Sequence, residues 1–190
     1  MKTFQKPAFD QLEKVNELIK NRYSPRAFTN QPLSEQDLTL LIEAARWAPS
    51  SMNAQPWKFF ISTNDDDIFS SIWQTLSDGN KPWAKKAAAF IVTFIPQSDS
   101  FPVLLTYAHD LGLAIGNLSL QAESMHIGLH QMGGFSKDAV AQLFEIGSEY
   151  IPMTIIAVGK YGNAESLEEP YKSREKAMRT RKPINELFIK

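Results

Sequence analysis

Apolar residues along this chain recur at two periods, one helical and one alternating or continuous, and the switches between them mark out interleaved helices and strands. Val15, Leu18 and Ile19 form a stripe behind Asp10 and Glu13, a pair that reads as a capping box and predicts a helix over 10–21. Pro25 disfavours a helical Ser24 and breaks the pattern. Ser34 is placed to cap a second helix over 35–47, with Leu38, Leu41, Ile42 and Ala45 on one face. Residues 48–56 form a polar loop between two prolines, and 57–62 read as a short buried strand. Asn64 stands where it would open a helix over 65–76. Residues 87–95 are continuously apolar and rich in β-branched and aromatic types, the pattern of a buried strand.

The longest pattern predicts a helix over 102–126. Leu104, Ala108, Leu111, Ile115, Leu118 and Ala122 fall on one face, and Val103, Tyr107 and Ala114 on another. A helix apolar nearly all round is buried on most sides. That suits a central helix shared between the core and a subunit interface, where Ala108, Gly112 and Gly116 would let another helix approach. A core helix inside a monomer is the other reading. Residues 129–135 form a short strand or loop around Gly133 and Gly134. Ser136 caps a helix to about 145, and 152–160 read as a further buried strand. The tail is polar, with a charged helical stretch over 167–177 and then the basic run Arg179-Thr-Arg-Lys182. Helices and strands thus interleave in one domain over 1–190, of α/β or α+β class, with no internal repeat.

The chain has 190 residues, a net charge of −1 and no cysteine. The charge gives no global field for nucleic acid or an anionic membrane. The lack of cysteine excludes disulfides, thiolate catalysis and Cys-ligated metal centres. Redox chemistry would need an organic cofactor or a metal on N and O ligands. The first ten residues hold no apolar signal-peptide core, and the stretch over 103–129 is interrupted by His109, Asp110, Asn117, Gln121 and Glu123. A soluble cytoplasmic protein is the expectation.

There is no Gly-x-Gly-x-x-Gly, no Walker loop and no Gly-x-Ser-x-Gly elbow. His126 and His130 stand four apart, a metal-ligand spacing on a helix, but Gly128 between them argues for ordinary helix-end histidines. Three polar clusters remain: Arg22, Tyr23, Ser24 and Arg26; Ser50, Ser51, Asn53 and Gln55; Arg179, Arg181 and Lys182. Each alone reads as a solvated loop. Together they combine planar bidentate phosphate donors with Ser and Asn groups suited to a heterocycle edge. A mononucleotide with an aromatic head has that chemistry.

The motifs RYSPRAF and LIEAARWAPSSMNAQPWKFF resemble the opening of the nitroreductase family of FMN enzymes. There an Arg-x-Ser-x-Arg/Lys segment precedes a helix and a Pro-Ser-x-x-Asn-x-Gln-Pro-Trp loop. GLHQMGGF is similar to that family's glycine segment beside the flavin, and RTRKP to its C-terminal phosphate motif. The order and approximate spacing hold over almost the whole chain.

The resemblance implies an α+β fold with a central mixed sheet flanked by helices. It also implies an intertwined homodimer with two shared FMN sites. One subunit would give the Arg22 segment, Gly133, Gly134 and the basic tail; the other would give the loop with Ser50, Ser51, Asn53 and Gln55. Arg22, Arg179 and Arg181 would hold the phosphate, Ser24 the phosphate or ribityl region, and Arg26 the pyrimidine edge. Asn53 would bond the ring system, with Gly133 and Gly134 near N5. The implied activity is two-electron, ping-pong transfer from NADH or NADPH through FMN to a small electron-poor acceptor, a nitroaromatic or quinone. Alternatives are an FMN dehalogenase or dehydrogenase, a flavin-binding protein with little turnover, and an interaction domain without cofactor. Residues 77–83 and 97–102 are candidates to shape substrate entry, with Trp83 and Phe101 as stacking aromatics.

Overall fold

A computed structural model describes Lys6 and residues 14–189. The sheet has four strands: β1 (Lys58–Thr63), β2 (Ala89–Pro96), β3 (Ile127–Met132) and β4 (Tyr150–Lys160), in the order β1-β2-β4-β3. Alternating side chains give it two buried faces. Ile91, Ile95, Leu129, Ile156 and Val158 join one core, with Leu38, Leu41 and Ala45 of α2 (Glu35–Arg46) and Leu111, Ile115 and Leu118 of α5 (Phe101–Ser124). Phe90, Val92, Phe94, Met132, Ile155 and Ala157 join the other. They pack against α3 (Asp67–Thr75), α4 (Lys81–Ala84) and α6 (Lys137–Leu143). The result is helices on both sides of a central sheet, the α+β arrangement anticipated. The sheet itself differs from expectation. Among the described residues of one chain every strand pairing is antiparallel, not mixed. Each strand pairs with a neighbour of opposite direction, so a parallel partner would have to come from outside these four.

Local signals set most of the helix starts. Ser34 and Asp37 form a full capping box on α2, and Ser136 caps α6 by accepting from Ala139 N. Two starts differ from the pattern. Helix α1 (Glu17–Asn21) is capped by Asn16, and the Asp10–Glu13 box lies outside the described residues. Helix α3 begins after Asp66, not Asn64, because the Asp66 carboxylate bonds back to Thr63 N at 2.6 Å and closes the turn out of β1. The charged stretch near the C-terminus is shorter than its pattern, as α7 (Tyr171–Lys176).

Helix α5 buries Asp110, Leu111, Ala114, Ile115, Leu118, Ser119, Ala122 and Glu123. Ala114 therefore belongs to the core face rather than a second one. The outward face carries exposed Leu105, Gly112, Leu113 and Gly116, and adding a Cβ at either glycine would meet nothing within 4 Å.

Candidate functional site

The residues 22–28 segment crosses the end of β3 and β4 as an extended strap, tied down at nearly every residue. Arg179 donates from its two terminal guanidinium nitrogens to the carbonyls of Arg22, at 2.9 Å, and Lys20, at 2.8 Å. His130 Nδ1 lies 2.9 Å from the Pro25 carbonyl, and since a carbonyl only accepts, Nδ1 carries the proton. Arg26 N donates to the Glu175 carboxylate at 3.0 Å, and Gly162 N to the Ala27 carbonyl at 2.8 Å. Gly128 is the space the strap needs: a Cβ there would sit 2.6 Å from Pro25 Cγ.

The first and third polar clusters are thus brought together. Arg22 is held below the usual guanidinium value by burial first, then by the charges of Arg181 and Arg179. Arg179 is lowered by burial and by Arg181. Arg179 Nε is buried with no hydrogen-bond partner among the described residues. Three guanidinium groups close enough to depress one another make a site suited to a multiply charged anion. The two terminal nitrogens of Arg179 are spent on backbone carbonyls and its Nε is buried, so what it offers an anion is its charge.

Tyr23, in the same segment, turns inward. Its ring is buried, stacked on Tyr161 with centroids 5.3 Å apart, and it packs the strap onto the fold instead of lining a surface. Tyr161 OH donates to buried Glu123 at 2.6 Å. Ser24 and Arg26 are half-buried, with the Arg26 guanidinium 5.9 Å above the Trp83 ring. Trp83 is 1% exposed and packs against the His130 ring, tilted, with centroids 4.4 Å apart, so it is core and not a substrate platform. Phe101 is exposed at the start of α5.

Gly133 and Gly134 differ from each other. Gly134 is claimed by the chain: its carbonyl accepts from Ser77 N and Asn80 Nδ2, and a Cβ would lie 2.6 Å from Ser77 Oγ. Gly133 is exposed, and a Cβ there would meet nothing within 4 Å. The fold needs a glycine at 134, and leaves open space beside 133. Two residues, Gln131 and Met132, separate it from His130 under the strap, a span of about 10 Å over three residue steps.

The Ser50 loop makes its described contacts elsewhere. Ser51–Asn53 forms a short 3-10 turn in which Met52, Asn53 and, just beyond, Gln55 take positive φ of 52°, 56° and 47°. Such backbone is unfavourable for Met and Gln, less so for Asn, and persists only where other contacts enforce it. Here Ser50 Oγ accepts from Gln55 N, Asn53 Oδ1 accepts from Gln55 Nε2, and buried Asp110 of α5 accepts from Ser51 N at 3.0 Å. Met52 projects fully into solvent. The loop borders an open cleft of about 480 Å³ with Leu105, Thr106, His109, Asp110 and Leu113. Exposed Trp47 stands just before it, at the end of α2.

His126 and His130 do not share a helix face. His126 closes α5 with φ 54° and His130 lies in β3. No group of metal-binding side chains occurs among the described residues. Among them, too, no helix is long and apolar enough to cross a membrane. Glu175, Lys6 and Asp110 were missed from sequence. Asp110 left a signal, as an acid inside an apolar helix; Glu175, in a charged tail, left none.

The nitroreductase family model matches residues 19–96 and 106–160. FMN reductase (NADPH) of Bacillus subtilis is 26% identical over 169 residues, covering 77% of this chain and 66% of that protein. A crystal structure described as an oxidoreductase containing FMN superposes with a TM-score of 0.86 at 26% identity, over 100% of this chain and 96% of the other. A nitroreductase family protein from Streptococcus pneumoniae, 24% identical over 92% of this chain and 98% of its own, shares the fold with a TM-score of 0.76. With the matched segments holding both the arginine strap and the Ser50 loop, and spanning well over half of its length, this chain belongs to the nitroreductase family.

Proposed function

We propose that this chain is an FMN-dependent NAD(P)H oxidoreductase that reduces a small electron-poor acceptor, such as a nitroaromatic or quinone, in a ping-pong cycle. The observation that carries the reading is the meeting of Arg22, Arg179 and Arg181, three guanidinium groups close enough to depress one another. These groups fit the phosphate of FMN. Bound there, the flavin would take two electrons from NAD(P)H and pass them to the acceptor.

The chain's own residues then have separable tasks. Arg22 and Arg181 neutralise the phosphate, and Arg179 fixes the strap that presents Arg22. Ser24 faces the phosphate or ribityl region. Arg26 supplies a fixed cation at the pyrimidine edge, where negative charge grows on reduction, the logic of a preorganised electrostatic site. Gly133 lets the backbone approach the ring closely. No protein nucleophile is called for, in keeping with the absence of cysteine.

The reading includes a homodimer in which the partner's Ser50 loop completes the site. Two surfaces support it. The outer face of α5 exposes Leu105 and Leu113 beside the glycines, near exposed Trp47 and Met52. The tail exposes Met178 just before the arginines, and Ile184, Leu187, Phe188 and Ile189 beyond them. Apolar surface on this scale marks an association site.

The test is the absorption spectrum of protein reconstituted with FMN, taken without air before and after NADH or NADPH. Bleaching of bound flavin supports the proposed function. Bound flavin that neither nicotinamide bleaches would overturn the reductive half and favour a different FMN chemistry. Failure to bind FMN would overturn the cofactor reading.

A further inference from the structure

Glu175 is a buried acid for which packing alone gives no reason. It is 1% exposed at the end of α7. One carboxylate oxygen accepts the backbone N–H of Arg26 at 3.0 Å, and the carboxylate also receives the N–H of Ala27. The other oxygen, Oε1, is buried without a hydrogen-bond partner among the described residues. The cations facing it are Lys6 and Arg26. Lys6 is anchored to the same helix, through Nζ to the Arg174 carbonyl at 2.7 Å.

Burying a charge costs several kcal/mol of desolvation, and an apolar side chain of similar size usually docks a helix as well or better. Burial pushes the Glu175 carboxyl upward, which is that cost seen at the group itself; the two N–H donors and the two cations pull the other way. What an apolar residue would not do is order two successive N–H groups directly after Pro25. That order fixes the direction in which Arg26 leaves the strap. The carboxylate also sets a negative charge beside the Arg26 guanidinium, which the Trp83 face supports from below.

We propose that Glu175 is a positioning residue for the flavin site: it aims Arg26 at the ring and offsets part of the positive charge that the ring feels. The proposal rests on the FMN reading above. Reduced flavin carries more negative charge than oxidised flavin, so the Arg26 cation favours the reduced form. Glu175 moderates that preference and holds the flavin's midpoint potential down.

Two variants separate charge from shape. Glu175→Gln keeps an oxygen to accept both N–H groups and removes the charge. Glu175→Ala removes both. FMN uptake by the wild-type protein is measured first, then oxidised-FMN affinity and the midpoint potential of the bound flavin for all three. In Glu175→Gln, oxidised FMN binds nearly as in wild type while reduced FMN gains affinity, moving the potential upward. Each tenfold gain would read as about 30 mV for a two-electron couple. Glu175→Ala weakens oxidised FMN binding as well. A Glu175→Gln potential equal to wild type overturns the proposal, even if Glu175→Ala is unstable, because that pair of results describes a purely structural side chain. Wild-type protein that takes up no FMN overturns the cofactor reading along with it, so the two failures are distinguishable.

Discussion

Asp110 and Ser51 are joined by one hydrogen bond of 3.0 Å from the Ser51 backbone N–H to a carboxylate that is 2% exposed. An acid in the body of α5 thus holds a loop whose backbone turns left-handed at Met52, Asn53 and Gln55. Removing it with Asp110→Ala leaves the Ser51 N–H without that acceptor and releases the strain. The expected loss of stability is about 1–3 kcal/mol, the cost of leaving such a group unsatisfied. Urea denaturation would measure it, and Asp110→Asn, which keeps an acceptor, should lose less.

Arg179 and Arg181 should separate in their effects. Arg181→Ala touches an exposed side chain whose described hydrogen bond goes only to the Thr180 carbonyl. It should weaken FMN binding by about 1.5–3 kcal/mol, the scale of a charge-assisted hydrogen bond. The melting temperature of the flavin-free protein should not change. Arg179→Ala also releases the Lys20 and Arg22 carbonyls, so it should lower both affinity and flavin-free stability. Calorimetry with and without FMN distinguishes the two; equal melting temperatures for both variants would refute the strap role of Arg179.

His130 makes stability depend on acid. Burial, then the nearby Arg26 and Lys6 charges, lower its pKa from 6.5 to about 4, against the raising effect of its bond to Pro25. In the unfolded chain the imidazole protonates near 6.5, before the folded protein accepts the proton. The unfolded state therefore binds more protons in this window, and stability falls as pH drops. The contribution is complete above pH 6.5 and is lost at up to about 1.4 kcal/mol per pH unit down to about 4. Denaturation midpoints across that range should show the slope, and His130→Gln should flatten it. An NMR titration of His130 near 6.5 would contradict the assignment.

The proposed assembly predicts a solution mass near twice the 21.4 kDa of the chain. Leu113→Glu, on the outer face of α5, should shift light scattering toward the monomer and lower FMN retention with it. A flavin-loaded monomer would rule out a shared site.

The helices and strands were legible where one residue type decides the outcome. Ser34 and Ser136 cap the helices their positions promise, and the continuous apolar runs became β2 and β4 because both faces of the sheet are covered. The Asn64 start failed because Asp66 closes the turn first, a competition between neighbouring acceptors that pattern alone does not rank. The candidate site was legible as types and only partly as roles. Sequence pointed to the arginines, yet Arg179 spends its fork on carbonyls and Tyr23 goes inward, since both facts depend on a strap held by residues 149 and 157 positions away. Gly133 and Gly134 look alike in sequence. Only the position of Ser77 tells which of them the fold itself requires.

The arginine tail ends in apolar residues that the other described residues leave exposed, so on the proposed pairing one short stretch would serve both the cofactor and the subunit contact. Loss of the second subunit would then loosen the grip on the first subunit's flavin. Under that pairing, occupancy would become a function of protein abundance: a scarce protein would shed its pigment and fall silent, and an abundant one would hold it and work. Expression level would act as a throttle on this catalyst, steeper than a simple count of molecules implies.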